Sequence, residues 1–446
     1  MNDINLARQA ELHVHTVGCY TPEDLFAMAK DHYREINWNR FSFLDRYERI
    51  FGVRLDPVAV FERACATGSL DEIRQIAIYS YHPDGTFDEF NIKSYFPQAI
   101  VGYYLDKGEH EPILAPLVER HKSEGLKLVE YRNAFGARGE EFKDWHGRYA
   151  RFLKNAATKE FKARYVVRLV GDPVECYGTL RELLDEQPDL VETIVGVDFS
   201  GKEIPPKQLM AFYERLKQDH DEHPDKALDA VVHIGENYLT ISLESAIRWC
   251  HQSALYGASR LGHCIALGLD PYAAVQRHGG SHLTETVEER MDQIEYDLAH
   301  AEGLRAYGIT VDREALEKEY AELTSHAKDE TVTRPYDQTR LSEAARRQDY
   351  VLDDLARLGT AIETCPTSNL CIGGVPNIES HPFKKLYASK VKLVVCTDDP
   401  GIFGITLSDE IDNLTRWFGI DPQELAERLG DPREYRLGKE RLSAKK

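Results

Sequence analysis

Val391-Lys-Leu-Val-Val-Cys-Thr-Asp398-Asp399-Pro400-Gly-Ile-Phe-Gly404 decides the fold: a short, largely β-branched apolar run ends abruptly in two adjacent carboxylates followed by Pro and Gly. Such a run reads as a strand buried on both faces, and the break places both acids at the mouth of a sheet. Two like charges there raise each other's pKa, and holding them costs energy unless a cation or a hydrogen-bonding ligand offsets it. An Asp-Asp-Pro by itself is more often a solvated turn or a helix cap. Histidines at other strand ends shift that balance.

Working backwards, the same rhythm recurs in Leu126 to Arg132, Tyr165 to Val170, Glu192 to Gly201, Leu228 to His233, Ser259 to His263 and Ala361 to Pro366, with helix-like segments such as Pro206 to His220 and Thr240 to Tyr256 between them. With the alternating run Ala10 to Gly18 the strands number eight, the pattern of an α/β protein of the (β/α)8 TIM-barrel type, whose chemistry sits at the C-terminal ends of the strands. A doubly wound open sheet competes, but no Gly-rich turn follows a strand. We expect one domain over residues 1–446. Two pieces depart from the repeat: a helical excursion from Thr21 to Glu124 after the first strand, and a long helical insertion, 267–345, between strands six and seven. In that insertion Thr284 to Leu304 and Asp312 to Ser325 carry apolar residues on one face, which reads as a helical hairpin suited to packing or to contact between copies of the chain. The polar tail from Arg433 to Lys446 is expected to fray.

The first strand carries His13 and His15, which share a face because side chains alternate. The fifth ends in His233-Ile-Gly-Glu236, the sixth in His263, the eighth in Asp398 and Asp399. In a barrel all of these meet at one rim. Each has an ordinary reading: a polar-faced edge strand, a satisfied buried histidine, an acid at a helix start. Together, three neutral imidazoles and a carboxylate suit Zn²⁺ and leave a position for water.

The totals bound the partner. The chain has 446 residues, 42% hydrophobic and 29% charged, enough for one large barrel, and a formal net charge of −20 that argues against nucleic acid or an anionic membrane. A small ligand fits better. Eight cysteines without a CxxC pair read as reduced thiols, and the absence of an apolar N-terminal core or a membrane-length apolar run points to the cytoplasm.

His13-Val-His15, Gly196-Val-Asp-Phe-Ser-Gly201 with Lys202-Glu203, His233-Ile-Gly-Glu236, Arg260-Leu-Gly-His263, Cys365-Pro-Thr-Ser-Asn369, His381-Pro382 and Thr397-Asp398-Asp399-Pro400, in that order, resemble the adenosine/adenine deaminase family of metal-dependent amidohydrolases over about residues 9–425. The resemblance implies one zinc ion held by His13, His15, His233 and Asp398. It implies that Glu236 protonates ring N1 of a purine, that His263 orients and deprotonates water, that Asp399 bonds N7 and that the Gly201 N–H faces N3. Cys365 to Asn369 would shape the rim.

Three positions depart from the pattern. Val17 stands where relatives acting on adenosine carry an acid beside the ribose, so it neither binds a 5′-hydroxyl nor repels a phosphate. Cys264 replaces a usual Gly and is expected to narrow the pocket, and Cys396 replaces a usual Ser. The expectation is zinc-dependent deamination of a 6-aminopurine (adenosine, adenine, an adenine nucleotide or a modified nucleoside) to the 6-oxopurine and ammonia. An amidohydrolase acting on an amide or ester is the first alternative, although a bridging Lys is missing after strand four. A non-catalytic purine-binding or assembly protein is the second, and it has no need of Glu236 or His263. Nucleic-acid deaminases carry a His-x-Glu with Pro-Cys-x-x-Cys, which is absent.

Overall fold

A computed structural model describes residues 4–438 other than 84, 237, 239–240, 278–281 and 373. Eight strands run parallel in one sheet: β1 (Ala10–His15), β2 (Leu128–Ala134), β3 (Lys162–Arg168), β4 (Ile194–Phe199), β5 (Asp229–Ile234), β6 (Arg260–His263), β9 (Ala361–Thr364) and β10 (Lys392–Val395), paired in that order. The sheet closes where Asp398 N–H donates to His13 O and His15 N–H to Asp398 O, at 3.0 and 2.9 Å. The barrel is therefore sealed by the very residue that ends the decisive stretch. Every residue of β4 is buried, as a strand covered on both faces requires.

After β1 the chain makes a helical excursion, including Pro22–Ala29, Phe43–Phe51, Pro57–Thr67 and Phe87–Leu105, before β2 begins. Thr21 with Asp24, and Thr86 with Glu89, form reciprocal capping boxes that fix two of these starts. Phe43, Phe61 and Phe96 are fully buried there while Phe41 is 54% exposed, so most of the aromatics are core.

The insertion is not wholly helical. After the helix Pro271–Arg277 it contains an antiparallel pair, β7 (His282–Thr286) with β8 (Thr331–Pro335), so the helix expected from Thr284 begins at Val287. Helices Val287–Ala299, Ala301–Ala306 and Arg313–Leu323 lie between the two strands, and Gln338–Leu358 packs on Leu243–Tyr256. The expected start of the latter helix, Thr240, lies outside the described residues. Both of these helices pair a buried arginine with an acid on Val287–Ala299, Arg347 with Asp297 at 2.6 Å and Arg248 with Glu289 at 2.5 Å, which is what makes their burial tolerable.

The tail also differs from expectation. Pro432–Tyr435 forms a 3₁₀ turn and Leu437, 2% exposed, packs on Val166, Val195 and Val231 inside the barrel. Arg260 donates to Tyr435 O at 2.6 Å, and Leu437 N–H donates to Glu130 at 2.9 Å. Residues 433–438 thus plug the end of the barrel away from the histidines, and residues 439–446 lie outside the described residues.

Candidate metal and purine site

At the opposite end His13, His15, His233, His263 and Asp398 converge. His15 Nε2 lies 3.1 Å from His233 Nε2 and 3.3 Å from Asp398 Oδ1, and His13 Nε2 lies 3.4 Å from Asp398 Oδ1. Donor atoms of His13, His233, His263 and Asp398 all fall within 4.8 Å of one another. His263 stands further back, its Nε2 3.7 Å from Glu236 Oε2 and 4.0 Å from Asp398 Oδ2.

Backing groups set which nitrogen faces inward. His13 Nδ1 is 2.9 Å from Glu363 Oε2, and His233 Nδ1 is 3.1 Å from Asp198 Oδ1, so each ring turns Nε2 to the centre. His263 Nδ1 pairs with Asn369 Oδ1 at 2.9 Å, which makes Nδ1 the donor and leaves the buried Nε2 with a free lone pair. Ser368 donates to Asp398 Oδ2 at 2.7 Å. The Cys365 to Asn369 segment, expected to shape the rim, orients two site residues from behind and does not itself line the cavity. His381 buttresses it through Pro366 O at 3.1 Å.

Backbone strain gathers here too. Asp398 and His263 both have φ of 64°, and Cys264 has φ of 51°, a left-handed conformation that costs a residue with a Cβ on the order of 1 kcal/mol or more. Glycine, the residue the resemblance leads one to expect at position 264, would adopt it freely. The Cys264 thiol contacts Cys250 and does not line the cavity, so the expected narrowing does not occur.

The electrostatics separate the acids. Burial, then Asp398 and Glu203, push the Glu236 carboxyl well above its ordinary range; Glu203 also accepts the Gly235 and Glu236 N–H groups at 2.8 and 2.9 Å. Burial, then Asp398, push Asp399 up likewise. Burial would raise Asp398 as well, but the His13 and His15 contacts hold it well below its range. Burial and Arg132 act to lower His13, yet Asp398 and Glu363 carry it up to about 9, a sign of how strongly this carboxylate cage favours positive charge. Burial takes His233 down to about 4 and His263 to about 3, so both are neutral at pH 7.

A cavity of about 340 Å³ opens over this floor, lined by Val17, Gly201, Glu236, His263, Asp398 and Asp399 among others. All the expected site residues thus meet in one place, with His13 beneath the cavity floor. Sequence reasoning did not assign Asp198, Glu203, Glu363 or Arg132. For Asp198, Glu363 and Arg132 the signal was a charge inside an apolar strand, which a barrel interior tolerates only when paired, whereas Glu203 lies in the loop after β4.

A closed (β/α)8 barrel with histidines and an aspartate at its strand C-termini defines the amidohydrolase class. A family model for adenosine deaminase matches residues 153–429, and the chain belongs to the adenosine deaminase family. Among curated relatives, adenine deaminase from Rhizobium leguminosarum bv. trifolii is 37% identical over 71 residues, 16% of this chain and 22% of that protein. Adenosine deaminase from Plasmodium gallinaceum is 47% identical over 53 residues, 12% of this chain and 15% of that protein. The chain thus matches about a fifth of the length of these relatives. Among solved structures, the Arabidopsis N6-mAMP deaminase superposes with a TM-score of 0.54 at 15% identity, covering 99% of this chain and 97% of that one. A Burkholderia ambifaria amidohydrolase with bound Zn gives 0.52 at 13% identity, covering 99% and 89%. These two likenesses concern the fold. Together with the family, the buried His/Asp cluster suggests a metal.

Proposed function

We propose that the protein is a zinc-dependent 6-aminopurine deaminase in which His13, His15, His233 and Asp398 hold one ion. The observation that carries this reading is the spacing of the donors. A tetrahedron with bonds of about 2.05 Å has edges of about 3.3 Å, and three edges of this set match it: His15–His233 at 3.1 Å, His15–Asp398 at 3.3 Å and His13–Asp398 at 3.4 Å. His263, at 4.0 Å from Asp398, fits the ring outside that tetrahedron. An ion held there would supply Lewis acidity.

The chain's own groups then divide the proton traffic. Neutral His263 takes a proton from the attacking water through Nε2. Glu236, kept protonated by burial, donates to N1 and makes C6 more electrophilic. Asp399, also raised, shares a proton with N7, and the Gly201 N–H faces N3. Attack at C6 and loss of ammonia leave a 6-oxopurine. Solved neighbours titled as complexes with GMP and IMP support a purine ligand for this cavity. Eight unpaired cysteines suit a reducing compartment such as the cytoplasm, and among the described residues no helix is long and apolar enough to cross a membrane.

The test is ammonia release from a panel of adenine, adenosine, AMP and N6-substituted analogues by zinc-loaded protein. At least one should be turned over, and Glu236→Gln should lower that rate about 10²- to 10⁴-fold at unchanged metal content. A zinc-loaded, folded protein inert on the whole panel would leave a non-catalytic purine binder as the better reading.

A further inference from the structure

Val17, Phe87 and Phe90 give the cavity apolar wall, and Asn91, Ser94 and Gln98 give it a polar one. The last three recur at i, i+3 and i+7 on the helix Phe87–Leu105, so they form one stripe along a face whose neighbours Ile92 and Phe96 are core. Arg168, the last residue of β3, lines the same cavity and is half-buried. Its Nε and Nη2 both donate to Ser200 O, at 3.2 and 2.9 Å, which fixes the guanidinium plane and leaves Nη1 without a partner among the described residues. No carboxylate of those residues pairs with it either. The other arginine lining the cavity, Arg132, is fully buried against Glu363 and Asp198 and has no charge to offer a ligand.

Place and charge combine. A Cβ built on Gly201 would stand 2.7 Å from Arg168 Nη2, so the guanidinium abuts the residue whose N–H is assigned to purine N3. N3 and N9 share one edge of the purine. The cation therefore sits on the side from which the N9 substituent leaves, while Glu236, Asp398 and Asp399 are gathered at the C6 end with the histidines. A half-buried, immobilised guanidinium with open donors calls for an anion.

We infer that the substrate is a 6-aminopurine nucleoside whose sugar carries an anionic group, a phosphate monoester or a carboxylate, received by Arg168 with help from the Asn91, Ser94 and Gln98 stripe. The inference rests on the deaminase reading above and narrows its substrate class.

The experiment compares kcat/KM for adenosine, AMP and adenosine 5′-carboxylate in the wild type and in Arg168→Met, with Arg168→Lys as a charge-retaining control and melting curves to verify folding. One or both anions should exceed adenosine at least 10-fold, and whichever does so identifies the anion. Arg168→Met should shrink that ratio roughly 10- to 100-fold, with partial recovery in Arg168→Lys. Adenosine equal to or better than both anions, or a ratio that Arg168→Met does not change, overturns the inference while leaving deamination in place. Titration with IMP, inosine 5′-carboxylate and inosine reads the same selectivity as binding. If nothing in the panel is turned over, a selectivity for either anion over inosine that Arg168→Met abolishes upholds the anion site, and its absence ends it.

Discussion

At the scale of single residues, the site depends as much on missing atoms as on present ones. Asp399 fits only because residue 18 is glycine: a Cβ there would stand 1.6 Å from Asp399 Oδ1. Gly18→Ala must therefore push aside the carboxyl assigned to N7. A displacement of about 1 Å in a positioning group costs on the order of 10² in rate. We expect kcat/KM of Gly18→Ala to fall by about that factor with zinc content unchanged, checked by ammonia release beside metal analysis. Undiminished turnover in a folded Gly18→Ala protein would remove Asp399 from the account.

At the scale of elements, the strands do more than carry ligands. β2, β6 and β9 contribute Arg132, Glu130, Arg260 and Glu363 to one buried network, in which Arg132 reaches Glu363 at 2.5 Å and Arg260 reaches both Glu363 and Glu130 at 2.6 Å. Arg132 also lies 3.5 Å from Asp198. One guanidinium thus neutralises both carboxylates that orient metal-site histidines, Glu363 behind His13 and Asp198 behind His233. Arg132→Met leaves buried Asp198 without its arginine and Glu363 with Arg260 alone. It should lower stability by about 3–5 kcal/mol in urea unfolding and weaken zinc binding about 10- to 100-fold; stability and affinity both at wild-type levels would refute the linkage.

Element by element, legibility followed burial. The barrel strands were readable because both of their faces are covered, and the histidine and aspartate positions because each interrupts such a run at its C-terminal end. β7 and β8 were not. His282-Leu-Thr-Glu-Thr286 alternates between buried and exposed residues without an apolar run, and its partner Thr331-Val-Thr-Arg-Pro335 is mostly exposed, so the pairing depends on contacts distant in sequence. The tail misled for a related reason. Tyr435 and Leu437 are ordinary in a polar stretch, and only the open end of a barrel gives Leu437 a core to enter. The left-handed backbone at His263 and Asp398 carries no sequence signal, since neither residue type demands it.

At the scale of the whole molecule, side chains separated by nearly four hundred positions meet because eight parallel strands deliver their ends to one rim. That rim gathers histidines and acids whose charges are balanced only in part by the protein itself: Asp398 is held ionised and His13 carried up to about 9. A divalent ion answers the same demand.

The most direct measurement of that claim is the metal content of the purified full-length chain after zinc loading and exhaustive dialysis, with Asp398→Ala and His233→Ala measured beside it. The account predicts about one zinc per wild-type chain and a large loss in both variants, with melting curves verifying that all three are folded. A folded wild-type protein that retains no zinc, or variants that retain as much as the wild type, would contradict it.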